Sequence, residues 1–147
     1  MFCSIVPTIP SHYKLNNKFY LKNEKFDLSN KKLIAKIIKT SKPDYIFHLA
    51  AQPIVLESYS DPYATYLSNT VGTLNILESL KESNHKCTAI LITSDKCYEN
   101  INKKVNYKEN DRLGGLDPYS SSKASAELII RSYHESYFKT KSSNVRI

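Results

Sequence analysis

Apolar residues along the chain fall into two alternating patterns. Leu33, Ile34, Ile37 and Ile38 recur at helical spacing. Ser29 or Asn30 stands where a cap is needed and Pro43 lies beyond the far end, so a helix to about Ser41 is predicted. The next run, Tyr45-Ile46-Phe47-His48-Leu49-Ala50-Ala51, is short and nearly continuous in apolar character, which predicts a buried parallel strand. Asp61-Pro62, a cap followed by proline at the first helical position, opens a long predicted helix through Leu74, Leu77 and Leu80. A second buried strand, Ala89-Ile90-Leu91-Ile92, ends at Thr93-Ser94-Asp95 and leads into a polar loop over 96–116. Asp117-Pro118 then starts a third helix to about Phe138, with Ala126, Ile130, Tyr133 and Tyr137 on one face. Phe19 to Phe26 is a further possible strand. Helices of this size between buried strands are crossover connections, so the class is α/β with a doubly wound parallel sheet, in one domain over 1–147.

Such sheets bind ligands at the carboxyl ends of their strands. The segments that follow Ala51 and Thr93 are therefore the places to look for chemistry. Tyr119 and Lys123 lie four residues apart, on one face of the third helix near its start. An ammonium beside a phenol favours the phenolate, the form that can act as a general base. With eleven Tyr and eighteen Lys in 147 residues, about one such spacing arises by chance, and Tyr137 to Lys141 is a second instance. Position separates them: Tyr119 follows a capped helix start, whereas Tyr137 sits at a fraying end and reads as surface. Ser94, Asp95 and Lys96 supply a hydroxyl, a carboxylate and an amine at a strand's carboxyl end, which read alone is also an ordinary turn. Asp27 either contacts a nucleotide or ends a strand. His48 reads as a satisfied core histidine without a catalytic role, and Asn69 and Thr73 as surface polar residues of a helix.

Composition narrows the partners. The chain carries a formal charge of +7, but its cations are dispersed and only three are Arg, so a solvated surface is favoured over a nucleic-acid groove. Cys3, Cys87 and Cys97 have neither disulfide-framework nor zinc spacing, and the four histidines are far apart, so no metal is expected and a reducing cytoplasm fits. No signal peptide is read at Met1 to Pro10, and no apolar run approaches the roughly twenty residues of a membrane span. There are only three glycines, Gly72, Gly114 and Gly115, where average usage would give about ten. No glycine-rich phosphate loop can therefore lie before Gly72.

Several strings together resemble one family: His48-Leu49-Ala50-Ala51-Gln52-Pro53, Ser58-Tyr59-Ser60-Asp61-Pro62, Asn69-Thr70-Val71-Gly72-Thr73, Ser94-Asp95-Lys96-Cys97-Tyr98-Glu99-Asn100 and Asp117-Pro118-Tyr119-Ser120. These are similar to the CDP-glucose 4,6-dehydratases, of the extended short-chain dehydrogenase/reductase superfamily. Lys96 stands where related dTDP-glucose and GDP-mannose dehydratases carry glutamate. The resemblance implies a Rossmann-like fold, here partial, without the first βαβ glycine-loop unit and the C-terminal substrate domain. It also implies NAD as cofactor and CDP-glucose as substrate. Tyr119 with Lys123 would be the base at the sugar 4-hydroxyl, Ser94 a hydrogen-bond partner of the 4-oxygen, Asp95 the acid at the 6-hydroxyl, and Lys96 a participant in carbon-5 deprotonation. Asp27 and Leu28 would lie near the adenine and Ala50, Ala51 and Gln52 along the dinucleotide, with Tyr66 and Asn69 supporting. Pairing of two copies through the helices that start at Pro62 and Pro118 is also implied. The isolated chain is expected to be inactive. A non-catalytic truncated product and a basic binding module on the same fold are the other readings.

Overall fold

The computed structural model describes residues 26–100, 106–140 and 142–147. Most of the possible strand at 19–26, together with Cys3 and Lys141, lies outside them. Helix α1, Lys31–Ser41, is capped by Asn30, whose side-chain oxygen accepts from the Leu33 amide at 3.1 Å. It ends on Lys42 in the left-handed conformation, whose N–H donates to the Ile38 carbonyl. Three parallel strands follow in the order β1 (Tyr45–His48), β2 (Cys87–Leu91) and β3 (Val145–Arg146), with Tyr45 opposite Thr88 and Cys87 opposite Val145. Between β1 and β2 run α2 (Val55–Ser60), α3 (Pro62–Tyr66), a π-turn (Leu67–Val71) and α4 (Gly72–Lys81). Between β2 and β3 come a 3₁₀ turn at Asp95–Cys97, helix α5 (Pro118–Tyr133) and a second π-turn, His134–Phe138.

The core lies on one face of the sheet. Ile46, Cys87, Ala89 and Val145 meet Ile34 and Ile38 of α1, Ile76, Leu77 and Leu80 of α4, and Phe138 at the end of the α5 segment. Leu77 and Leu80 are fully buried, and burying each contributes roughly 1.5–3 kcal/mol. Gly72 lets α4 close onto this core, because a β-carbon there would lie 2.9 Å from Leu28 Cβ.

Several expectations change. The first strand is shorter than the apolar run, since the last rung of its ladder with β2 is the Ile92 amide donating to the His48 carbonyl, and the chain then leaves the sheet. It also alternates: Ile46 and His48 are buried, while Tyr45 and Phe47 are 63% and 47% exposed, because the described helices supply core to one face only. The second strand starts two residues earlier and leaves Ile92 exposed. The long helix from Pro62 is interrupted by the π-turn, in which the Gly72 N–H reaches back to the Leu67 carbonyl. The residue inserted by this wider turn changes the phase of the helix, and Asn69 and Thr73, read as surface, are instead 2% and 4% exposed. Helix α2 was not anticipated at all.

Candidate active site

At the carboxyl end of β1 the segment Ala50-Ala51-Gln52 is held by one side chain. Asn69 Oδ1 accepts the Gln52 N–H at 2.7 Å while Asn69 Nδ2 donates to the Gln52 carbonyl at 3.1 Å. The Asn69 amide also donates to Ser122 Oγ at 2.9 Å, and Ser122 Oγ donates to the Tyr119 carbonyl at 2.7 Å. Gln52 Nε2 in turn donates to Thr65 Oγ1 on α3. One buried carboxamide thus ties the loop after β1 to the first turn of α5. The sequence assigns no role to Ser122 or Thr65, although Ser122 lies inside the Tyr-x-x-x-Lys string and Thr65 next to Tyr66.

Helix α5 is set by Asp117, whose carboxylate accepts from the Ser120 amide at 2.9 Å and the Ser120 hydroxyl at 2.6 Å. Gly115 is required just before it, since a β-carbon there would sit 2.3 Å from Ser120 Cβ and 2.6 Å from backbone atoms of the first turn. The Tyr119 amide donates to Ser58 Oγ, which gives α2 its place in the site. Tyr119 and Lys123 are 8% and 5% exposed. Burial pulls the Lys123 ammonium below its ordinary pKa, and no hydrogen-bond partner for it is found among the described residues. Tyr137, of the second Tyr-x-x-x-Lys, is half exposed and packs at 5.2 Å on Tyr133.

His48 is only half satisfied, which corrects the reading of a satisfied core histidine. The Thr73 hydroxyl donates its one proton to the Asn69 carbonyl at 2.7 Å, so it must accept from His48 Nε2 at 3.0 Å, and Nδ1 is left a buried acceptor without a partner among the described residues. Burial and the charge of Lys123 push the His48 pKa down to about 4.

At the end of β2, Ser94 caps the 3₁₀ turn: its hydroxyl accepts from the Lys96 amide at 3.2 Å and donates to Asp95 Oδ1 at 3.1 Å. Asp95 and Lys96 are exposed and line a pocket of about 520 Å³ with Tyr98, Arg112, Asp117 and Ser120. The fold therefore brings Asp95 and Lys96 against the start of α5, although Tyr119 and Lys123 do not line that pocket. Elsewhere, Asp27 accepts the Ser29 amide at 2.7 Å, which holds its carboxyl below the usual range, and Leu28 is buried with its carbonyl taken by Asn75 Nδ2. Tyr66 is half-buried at the end of α3. The described residues contain no cluster of metal ligands, and no helix among them is long and apolar enough to cross a membrane.

The buried Tyr-x-x-x-Lys on the helix after β2 and the serine–acid turn against that helix follow the carboxyl ends of parallel strands, where open α/β sheets bind their ligands. Comparison with known proteins narrows this. The chain belongs to the GDP-mannose 4,6-dehydratase family, whose sequence profile matches residues 7–146. It is 38% identical over 135 residues to the CDP-glucose 4,6-dehydratase of Salmonella typhimurium, covering 90% of this chain and 37% of that protein. Among solved structures, the dTDP-glucose 4,6-dehydratase of Streptomyces venezuelae with NAD bound superposes with a TM-score of 0.69 at 26% identity, over 76% of this chain and 34% of that one. The Thermus thermophilus UDP-glucose 4-epimerase in complex with NAD gives a TM-score of 0.67 at 26% identity, over 76% and 36% of the two chains. The chain spans about a third of the length of the relatives it matches.

Proposed function

We propose that these residues form the catalytic part of an NAD-dependent nucleotide-sugar 4,6-dehydratase acting on CDP-glucose. The observation that carries this is the burial of Tyr119 and Lys123 on the turn of α5 that Asn69 ties to Gln52. The donor set suits a dinucleotide: Lys123, desolvated and without a hydrogen-bond partner among the described residues, offers its ammonium to ribose hydroxyls, and Ala50 to Gln52 present a fixed backbone at a strand end. The chemistry that NAD would supply when bound is a reversible hydride store, for the hydride of carbon 4 and its return to carbon 6. Tyr119, as the phenolate, takes the proton of the sugar 4-hydroxyl, with Lys123 stabilising its charge and Ser94 hydrogen-bonding the 4-oxygen. The 4-ketone acidifies carbon 5, where Lys96 acts in proton removal, while Asp95 protonates the departing 6-hydroxyl as water. Asp27 and Leu28 would border the adenine and Tyr66 would support the cofactor with Asn69. Lys96, in place of the glutamate of related dehydratases, and the Salmonella relative support CDP-glucose over other nucleotide sugars. With no glycine before Gly72, the first half of the chain offers no glycine-rich cradle for the pyrophosphate. Pairing of two copies through α3–α4 and α5 belongs to the same proposal.

The test is a chimera in which residues 26–147 replace the matching segment of the Salmonella enzyme. It should form the 4-keto-6-deoxy product from CDP-glucose, faster than from dTDP-glucose or GDP-mannose. Tyr119→Phe should abolish product. A folded chimera that retains NAD and makes no product would refute the proposal.

A further inference from the structure

The proposed reaction divides its labour between two structural units: Tyr119 and Lys123 on α5, and Asp95 and Lys96 on the turn after β2. Both must address adjacent carbons of one sugar, so the spacing between the units matters. Thr93, the residue just before Ser94, donates its hydroxyl proton to Glu127 Oε1 of α5. Glu127 is one helical turn beyond Lys123 and two beyond Tyr119, so the same stripe of α5 bears the phenol, the ammonium and this carboxylate. The turn itself is stiff, because the Cys97 amide donates to the Ser94 carbonyl and the Tyr98 amide to the Asp95 carbonyl. Cys97 sits buried beneath it, its thiol pKa raised by burial and by the charge of Glu127. The far end of the turn is held by backbone, since the Cys97 carbonyl accepts the Gly114 N–H at 2.9 Å, so cutting the Thr93–Glu127 bond frees the Ser94 end to pivot about that point.

We infer that Glu127 is a positioning residue: through Thr93 it sets where the Asp95–Lys96 turn stands relative to Tyr119 and Lys123, and so controls the elimination step without touching substrate. This rests on the dehydratase reading for its catalytic consequence, but the anchor itself does not.

Two measurements separate these. In the 147-residue chain, amide hydrogen exchange at Cys97 and Tyr98 should speed up about tenfold in Thr93→Val and in Glu127→Ala, while Glu127→Gln and Thr93→Ser, which keep an acceptor and a donor, leave it unchanged. Exchange unaltered in both disruptive variants overturns the inference, as does loosening spread evenly over α5 and the sheet. In the chimera, Glu127→Ala should leave formation of reduced cofactor within about threefold of the parent and slow release of the dehydrated product about a hundredfold, with recovery in Glu127→Gln. Equal loss of both half-reactions overturns the positioning role. A parent chimera that forms no reduced cofactor sinks the dehydratase reading, and the exchange data alone then decide whether the anchor exists.

Discussion

Asn69 grips the backbone of Gln52 from both sides, accepting its N–H at 2.7 Å and donating to its carbonyl at 3.1 Å, as a neighbouring strand would. The grip exists because the π-turn Leu67–Val71 presents Asn69 inward, and Thr73, bonded to the Asn69 carbonyl, ties that turn to His48 at the end of β1. Asn69→Ala leaves the half-buried Gln52 N–H and carbonyl without their partner and takes one donor from the Ser122 hydroxyl, so it should destabilise the chain by roughly 2 kcal/mol. Asn69→Asp should be worse, since it loses the Nδ2 donor and places a charge in a site that is 2% exposed. Urea unfolding of the three proteins checks the order.

Lys123 should lower stability in the service of function. Its folded pKa lies below the ordinary lysine value because of burial, so the unfolded chain binds more protons and stability rises with pH through the interval up to about 10.5. Lys123→Met should therefore raise the urea midpoint at pH 7, and the gap should close as pH approaches 10.5. A lower midpoint for Lys123→Met at pH 7 would contradict the desolvation cost.

Acid should unfold the chain in two separate windows. The His48 pKa falls from 6.5 to about 4, so the folded state resists protonation and stability drops as pH goes from about 6.5 to 4, by about 3 kcal/mol in all. Glu78, held at about 2 by Lys81, Tyr133 and Lys31, contributes stability that is complete above its unfolded value of 4.5 and is lost as pH falls toward 2. His48→Gln should flatten the first window and leave the second, as measured by urea midpoints at about pH 7, 5.5, 4 and 2.5. Persistence of the full drop between pH 6.5 and 4 in His48→Gln would assign it to other groups.

What the sequence revealed followed the range of the interactions. Asn30, Asp61 and Asp117 act within three residues, so the helix starts were legible from composition and order alone. The inward turn of Asn69 was not, because a π-turn is stabilised by partners 17 and 53 residues away that no local period announces. The apolar run at Tyr45 to Ala51 said that a strand was there, but hydrophobicity does not say what covers each face, and the exposure of Tyr45 and Phe47 came only with the fold. That Tyr119 and Lys123 share one face at the start of α5 was legible from the Asp117 cap and their spacing of four, whereas their burial came only with the fold. Thr93 and Glu127, 34 residues apart, left no such mark.

Two glycines hold helices at different distances from their neighbours, and alanine should tell them apart. At Gly72 the new β-carbon meets Leu28 Cβ at 2.9 Å and Cδ1 at 3.1 Å, so overpacking of roughly 1–2 kcal/mol competes with a gain in helix propensity of about 1 kcal/mol. The net loss for Gly72→Ala should stay below about 1 kcal/mol. Leu28→Ala removes the Cδ1 contact at 3.1 Å but keeps the nearest obstruction, the Cβ at 2.9 Å, so in that background the Gly72→Ala change should cost less without becoming stabilising. At Gly115 the obstruction is the Ser120 Cβ at 2.3 Å and the backbone of Ser120 and Ser121 at 2.6 Å, which no rotamer change relieves. Gly115→Ala should therefore cost more than about 2 kcal/mol, or displace the Asp117 cap and with it Tyr119. Denaturant midpoints of the four variants give the comparison, and a Gly115→Ala loss no larger than that of Gly72→Ala would show that the loop before α5 yields more readily than its contacts imply.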